Sequence, residues 1–348
     1  RVHFAWVSAA EGKKWAQLVN EVTTRIRQLG PRPSAWGQPV PGVTPPPAPK
    51  PSITPLQPAS DAFARQTAEL RQTARQWLEE GTVKVVVGYG EGSLPGMVRP
   101  VFITDPGEVD QLVWNSRCRQ NLSVYLTRPW VTEMGPVGLV VKGCDERSIV
   151  GLTQENHPGV KDVHLIGMVC GGVADESGAL AARCVGCSSR TPSFAERVIG
   201  EAAPSEPGSD PRLEEIARLE AMGHAERWNF WQAHFARCLR CYACRAACPL
   251  CSCERCIADK TQPRWIPSGA TGAGNLSWNL ARAQHLAGRC IDCNACTDAC
   301  PAGIPLYLLN RKLAKVVEER FGYVAGRDPQ APPALTTFRE DDPQEFIH

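Results

Sequence analysis

Sixteen of the 348 residues are cysteines, and half of them fall into two runs of identical spacing. Cys238, Cys241, Cys244 and Cys248 are separated by two, two and three residues and followed by Pro249. Cys290, Cys293, Cys296 and Cys300 repeat that pattern and are followed by Pro301. Two-residue gaps let the backbone curl round one cube of iron and sulfide so that three thiolates reach three irons. The longer step and the proline direct the fourth thiolate to the neighbouring cube. The spacing assigns Cys238, Cys241, Cys244 and Cys300 to one [4Fe–4S] cluster and Cys290, Cys293, Cys296 and Cys248 to a second. Structural zinc is the plainer alternative, but it takes four ligands from paired knuckles, and eight thiolates oversupply it. Disulfides typify small secreted domains short of core, whereas this chain is 43% hydrophobic and holds its cysteines in tight clusters.

The other eight cysteines are less regular. Cys144 and Cys170 each follow a strand-like apolar run, and Cys184 and Cys187 form a further C-x2-C. Open α/β sheets place their sites at the carboxyl ends of strands, so these four thiolates can converge on a third [4Fe–4S] cluster. The competing reading is that Cys144 and Cys170 are small buried hydrophobes; the need for partners at Cys184 and Cys187 favours the cluster. Cys118, Cys251, Cys253 and Cys256 remain, as ligands of a fourth cluster, as a zinc site, or as spare thiols beside the matched runs. Gly88, Gly90 and Gly92 follow a strand and offer a cradle for the phosphates of a flavin such as FAD. Pro95 and Pro100 oppose this reading, because they deny the loop the helix N-terminus that holds a phosphate. Arg237, Arg240, Arg245 and Arg289 flank the matched runs, mostly as solvated charge, although positive charge near a cluster raises its potential. His157, His164 and His224 show no ligand spacing and read as structural.

Elements must hold these residues. Residues 1–30 read as a strand over 2–7 and an amphipathic helix stopped at Gly30, the C-terminal end of a domain that begins earlier. Residues 31–58 contain eleven prolines and make an extended linker. A helix capped by Ser60 or Asp61, strands at 83–88, 99–104, 137–143 and 163–169, and helices at 108–118 and 147–155 describe an α/β domain over 59–200. Near-continuous apolar strands separated by helix-length segments imply a small, mainly parallel sheet. Residues 201–235 form a helical connector, with Asp210 as cap and Pro211 at the first helical position. Residues 236–325 form a helical, bacterial-ferredoxin-like 2[4Fe–4S] domain whose last helix carries Leu306, Leu309, Leu313 and Val316 and stops at Gly322. Residues 326–348 are an extended, acidic tail. The net charge of +2 argues against a nucleic-acid surface, and no apolar run spans a bilayer. Thiolate ligands imply a reducing, cytoplasmic setting.

The segments GTVKVVVGYGEGSLPG, VVKGCDERSIVGLTQEN, HLIGMVCGGV and CVGC, followed by RCLRCYACRAACPLCSCERC, resemble the β subunit of coenzyme F420-dependent hydrogenases and formate dehydrogenases across residues 80–325. The nearest likeness is to bacterial dicluster relatives. This resemblance implies [4Fe–4S] clusters, an α/β part that binds flavin in the methanogen enzymes, and a catalytic hydrogenase or formate dehydrogenase subunit as partner. Residues 1–31, with WVSAAEGKKWAQLVNEV and LGP, are similar to the end of the δ iron–sulfur subunit of methyl-viologen-reducing hydrogenase. That second resemblance implies a heterodisulfide-reductase-like flavoprotein as the other partner. Together they imply an electron relay with no substrate chemistry of its own; the alternative is a flavin-containing β-type subunit that itself reduces a deazaflavin.

Overall fold

The computed structural model describes residues 21, 24, 25, 28, 61–94, 96–175, 177–201 and 210–334. The chain divides into two compact units, 1–43 and 44–348. In the first, Glu21, Thr24, Arg25 and Gln28 are helical and exposed; the strand expected at 2–7 and the linker at 31–58 lie outside the described residues. The second unit holds every cysteine.

Helix α1 (Asp61–Glu79) precedes strands β1 (Val85–Glu91), β2 (Val98–Ile103), β3 (Val137–Lys142), β4 (Val163–Met168) and β5 (Arg197–Ile199). The sheet is mixed, in the order β2-β1-β3-β4-β5. β1 and β2 form an antiparallel hairpin, from Val86 opposite Ile103 to Glu91 opposite Val98. The β1–β3, β3–β4 and β4–β5 pairings are parallel. β3 is buried along its whole length, as an interior parallel strand must be. Pro100 sits in β2 at the sheet edge, where its missing N–H costs nothing. Leu70, Thr73 and Ala74 of α1 are buried, and Phe63, Trp77 and Leu78 pack on the same core.

The helix expected over 108–118 does not form. Only Pro106–Gln111 makes a 3-10 turn, its N-terminus capped by the Asp105 carboxylate accepting from the Gly107 N–H at 2.8 Å. Beyond it Leu112 bridges to Gly90, and Trp114 donates its N–H to the Thr67 hydroxyl at 3.1 Å. Asn115 and Asn121 accept backbone N–H groups from Arg117 and Ser123, local bonds that compete with a helical ladder.

Helix α2 (Gly143–Gln154) leaves β3 directly. Helices α3 (Pro211–Ala221), α4 (His224–Ala236), α5 (Gly272–His285) and α6 (Leu306–Phe321) build the other half. Asp210 caps α3 through the Arg212 N–H, and Gly322 ends α6 in the left-handed region. The halves share packing: Leu152 of α2 is buried with Leu250, Leu286, Ile291 and Val317. Arg147 donates to the Ala325 carbonyl at 2.8 Å, and Gln154 donates to the Ala331 carbonyl at 2.8 Å. The part of the expected tail over 326–334 is thus laid against α2.

Candidate iron–sulfur centres

Both matched runs fold alike. Arg240 and Tyr242, two and four residues after Cys238, have φ of 56° and 59°; Asp292 and Asn294, at the same offsets from Cys290, have 62° and 63°. A left-handed side-chain-bearing residue costs of order 1–3 kcal/mol, so four at matching positions mark a backbone shape enforced twice. Each loop then enters a single helical turn, Ala243–Ala246 or Ala295–Asp298, that carries the third cysteine. Around the first loop, Arg240 donates to the Gly274 carbonyl at 2.6 Å and to the Tyr242 hydroxyl at 2.8 Å. Trp278 meets the Tyr242 ring edge-on at 4.8 Å.

The thiols of the two runs lie close together. Cys238, Cys244, Cys296 and Cys300 share an apolar pocket with Phe235, Ile266, Trp278, Ile304 and Leu306, and Cys296, Cys300 and Cys238 all act on the Cys244 thiol. Cys248 is the strongest ionisable neighbour of Cys293 and also acts on Cys296, while Cys290 faces Cys296 and Cys293. Cys248 packs in a separate apolar cluster with Cys290 and Cys293. Cys241 is the one exposed thiol of the eight.

Burial pushes the Cys293 thiol up to about 12 and the Cys244 thiol up to about 11. Burial likewise raises Cys290 well above its ordinary value. Cys248 is the exception, held below its ordinary value by a hydrogen bond from the Cys251 thiol, with Arg282 helping. Thiolates bind iron, so thiols this buried need a cation in their midst to ionise. The clustered soft donors and their apolar walls suit a [4Fe–4S] cube. Among the described residues no three His, Cys, Asp or Glu side chains converge as a single ion requires.

A third set lies at the carboxyl end of the sheet. Cys144 is the second residue of α2, directly after β3, and Cys170 comes two residues after β4. Cys184 and Cys187 reach the same place from the following loop, and all four thiols line one small cavity with Lys142, Arg183 and Arg190. Burial raises the Cys144 and Cys170 thiols. Lys142, 3% exposed, donates to the Asp145 carboxylate at 2.8 Å and the Gln120 carbonyl at 2.9 Å. The donor set again fits a cube. Arg183 acts on Cys144 and on Cys293, and Arg147 feels both Cys290 and Cys144. The third set therefore adjoins the second run.

Two expectations are corrected. Cys118 is fully buried in the sheet core with Trp114 and Leu122, where its sulfur accepts the Asn115 N–H at 3.4 Å and burial pushes its thiol up to about 12. It does not join Cys251, Cys253 and Cys256, which line a different cavity with Cys241, Arg245, Arg282 and Arg289. Gly88, Gly90 and Gly92 do not cradle a phosphate either. The chain turns back into β2 instead of starting a helix. A Cβ on Gly88 would lie 2.4 Å from Leu112, and one on Gly90 2.5 Å from Val101. Those glycines admit neighbouring side chains to the core.

The flanking arginines are also more engaged than solvated charge would be. Arg240 is buried, Arg245 pairs with Asp259 at 2.8 Å, Arg289 pairs with Glu155, and Arg237 contacts the His234 ring at 2.7 Å. His157 accepts the Gly159 N–H and His164 pairs with Glu196. Spacing missed Arg282 of α5, on which Cys296, Cys248, Cys251 and Cys244 all act. The signal available was its position in a helix that follows the first run and ends at the second.

The chain carries a 4Fe-4S dicluster domain: residues 234–304 match the family model of that description. Over 109 residues it is 34% identical to the F420-dependent formate dehydrogenase subunit beta of Methanocaldococcus jannaschii, covering 31% of this chain and 28% of that protein. Over 105 residues it is 26% identical to the F420-dependent formate dehydrogenase 1 subunit beta of Methanococcus maripaludis, covering 30% of this chain and 26% of that protein. The chain thus spans about a quarter of the length of these curated relatives. A chain of the F420-reducing [NiFe] hydrogenase complex of Methanosarcina barkeri shows 16% identity and a TM-score of 0.26, over 32% of this chain and 38% of that one. The resemblance to β subunits read from the sequence holds over the matched stretch. Among the described residues no helix is long and apolar enough to cross a membrane.

Proposed function

We propose that this chain is an iron–sulfur electron-transfer subunit. It relays single electrons between a catalytic subunit of hydrogenase or formate dehydrogenase type and a heterodisulfide-reductase-like flavoprotein. The observation that carries the reading is the doubled loop, with left-handed residues at matching offsets and the fourth cysteine of each run beside the other. Cys238, Cys241, Cys244 and Cys300 would hold one [4Fe–4S] cluster; Cys290, Cys293, Cys296 and Cys248 would hold a second; Cys144, Cys170, Cys184 and Cys187 would hold a third. Such clusters, when bound, supply one-electron redox capacity. The chain's own residues exclude water, fix the separations and set the charge around each site.

The shared arginines support an order for the relay. Arg183 and Arg147 lie between the sheet site and the Cys290 run; Arg282 lies between that run and the Cys238 run. The similarity to formate dehydrogenase β subunits favours a formate dehydrogenase partner, and the similarity of residues 1–31 to a hydrogenase δ subunit favours the flavoprotein on the other side. Sixteen free cysteines suit a reducing, cytoplasmic and anaerobic setting.

The test is anaerobic reduction of the purified chain by reduced methyl viologen, followed by acid release of its cofactors. One-electron bleaching of the brown chromophore with no flavin released is the expected outcome. Stoichiometric flavin, reduced by a hydride donor, would instead make the chain a β-type enzyme that reduces a deazaflavin itself.

A further inference from the structure

The two cysteine runs share spacing and backbone shape, yet one loop is covered and the other is bare. Leu239 follows Cys238 and is 66% exposed, the highest value for a large apolar side chain among the described residues; Ile291 follows Cys290 and is 3% exposed. Cys241 is exposed, whereas its counterpart Cys293 is half-buried and packs with Ile291 in the apolar cluster that includes Leu152 of α2. Trp265, 65% exposed, precedes Ile266, which is buried in the pocket that holds Cys238. Charge separates the loops as well. Residues 237–264 hold six bases (Arg237, Arg240, Arg245, Arg255, Lys260 and Arg264) and two acids (Glu254 and Asp259), a net of +4 where the whole chain has +2. Residues 289–298 hold one base, Arg289, and two acids, of which Asp292 pairs with Arg212 and Asp298 with Arg183. On the first loop Arg255, Lys260 and Arg264 are exposed, and Cys241 opens onto a cavity lined also by Arg128, Arg245 and Glu254. An exposed apolar centre inside a basic rim has the composition of a contact surface.

We propose that the Cys238–Cys241 loop is the docking face for an acidic one-electron carrier protein, which exchanges electrons with the Cys238-run cluster there. The inference rests on reading the runs as cluster ligands and adds the chemistry of the partner that meets one of them. Leu239 and Trp265 supply the apolar centre. Arg255, Lys260 and Arg264, with Arg128 and Arg245 at the cavity, attract the carrier's carboxylates. Electron exchange works through brief encounters, small in area and steered by charge. Tunnelling weakens steeply with distance, so the one exposed ligand thiol of the eight marks where a partner comes nearest. In the step one electron leaves the carrier and one enters the cluster. No bond forms or breaks, and no proton moves.

The experiment is stopped-flow reduction of the full anaerobic chain by a reduced acidic [2Fe–2S] ferredoxin. Iron content and complete reduction by methyl viologen are checked on every sample. The expected second-order rate constant falls about tenfold between low salt and about 0.3 M salt. Arg255→Glu combined with Arg264→Glu slows it about tenfold at low salt. Leu239→Ser slows it at high salt too, because apolar contact is not screened. Lys84→Glu combined with Lys161→Glu, an equal charge change at exposed positions of the sheet half, leaves it within about twofold. Equal slowing by both double variants would overturn the inference, as net charge alone would then explain it; so would a rate indifferent to salt at full iron content. If Leu239→Ser loses iron, the two double variants decide. Wild-type chain that holds no iron, or that methyl viologen does not reduce, would overturn the cluster reading itself, a failure distinguishable from that of the docking face.

Discussion

At the scale of residues, the cysteines divide by whether local spacing or tertiary convergence defines their role. The eight thiols of the matched runs were legible because two-residue gaps are a local geometric instruction, and the structure supplies the left-handed residues that execute it at 240, 242, 292 and 294. Cys118 was not legible. It was grouped with Cys251, Cys253 and Cys256 by elimination, and elimination carries no geometry. Its place between Trp114 and Leu122 makes it a small core hydrophobe. Cys118→Ala should therefore leave iron content and the EPR spectrum unchanged while lowering stability by about 1 kcal/mol, the scale of a small buried truncation. Iron analysis beside a denaturant titration checks this; loss of four irons would return Cys118 to the ligands. Gly88 and Gly90 teach the same lesson, since a glycine that admits Leu112 or Val101 looks in sequence like one that admits a phosphate.

Among the elements, those with a strong period or cap were readable and those without were not. Helix α3 announced itself through Asp210 and Pro211, α6 through its leucines and Gly322, and four of the five strands through apolar runs. β5 is only three residues long, too short for a period. Helix α5 contains Gly272, Gly274, Asn275 and Asn279, weak helix formers that mask its pattern. Asn275 earns its place in the tertiary structure instead, donating to the Phe235 and Cys238 carbonyls at 2.8 and 3.0 Å and so tying α5 to the entry of the first cysteine run. Helix α2 joins the halves, because Leu152 is buried among Leu250, Leu286 and Ile291. Leu152→Ala should cost about 2–5 kcal/mol. Because the cavity opens between the sheet and the Cys290 loop, cluster loss and sheet unfolding should move together to lower denaturant. Separate transitions, with only the sheet affected, would show that α2 does not couple the halves.

For the whole molecule, arginines link the cysteine sets: Arg183 acts on Cys144 and Cys293, and Arg282 on Cys296 and Cys244. Such links depend on contacts such as Arg183 with Asp298, 115 residues apart in the chain, which no local pattern encodes. A chain built this way has its redox capacity in inorganic cubes and its specificity in charge and separation. The most direct test is a count of iron and acid-labile sulfide per chain after anaerobic purification. Three cubes give about twelve of each, falling to about eight when Cys184 and Cys187 are both replaced by serine. A folded, colourless chain without iron would contradict the account.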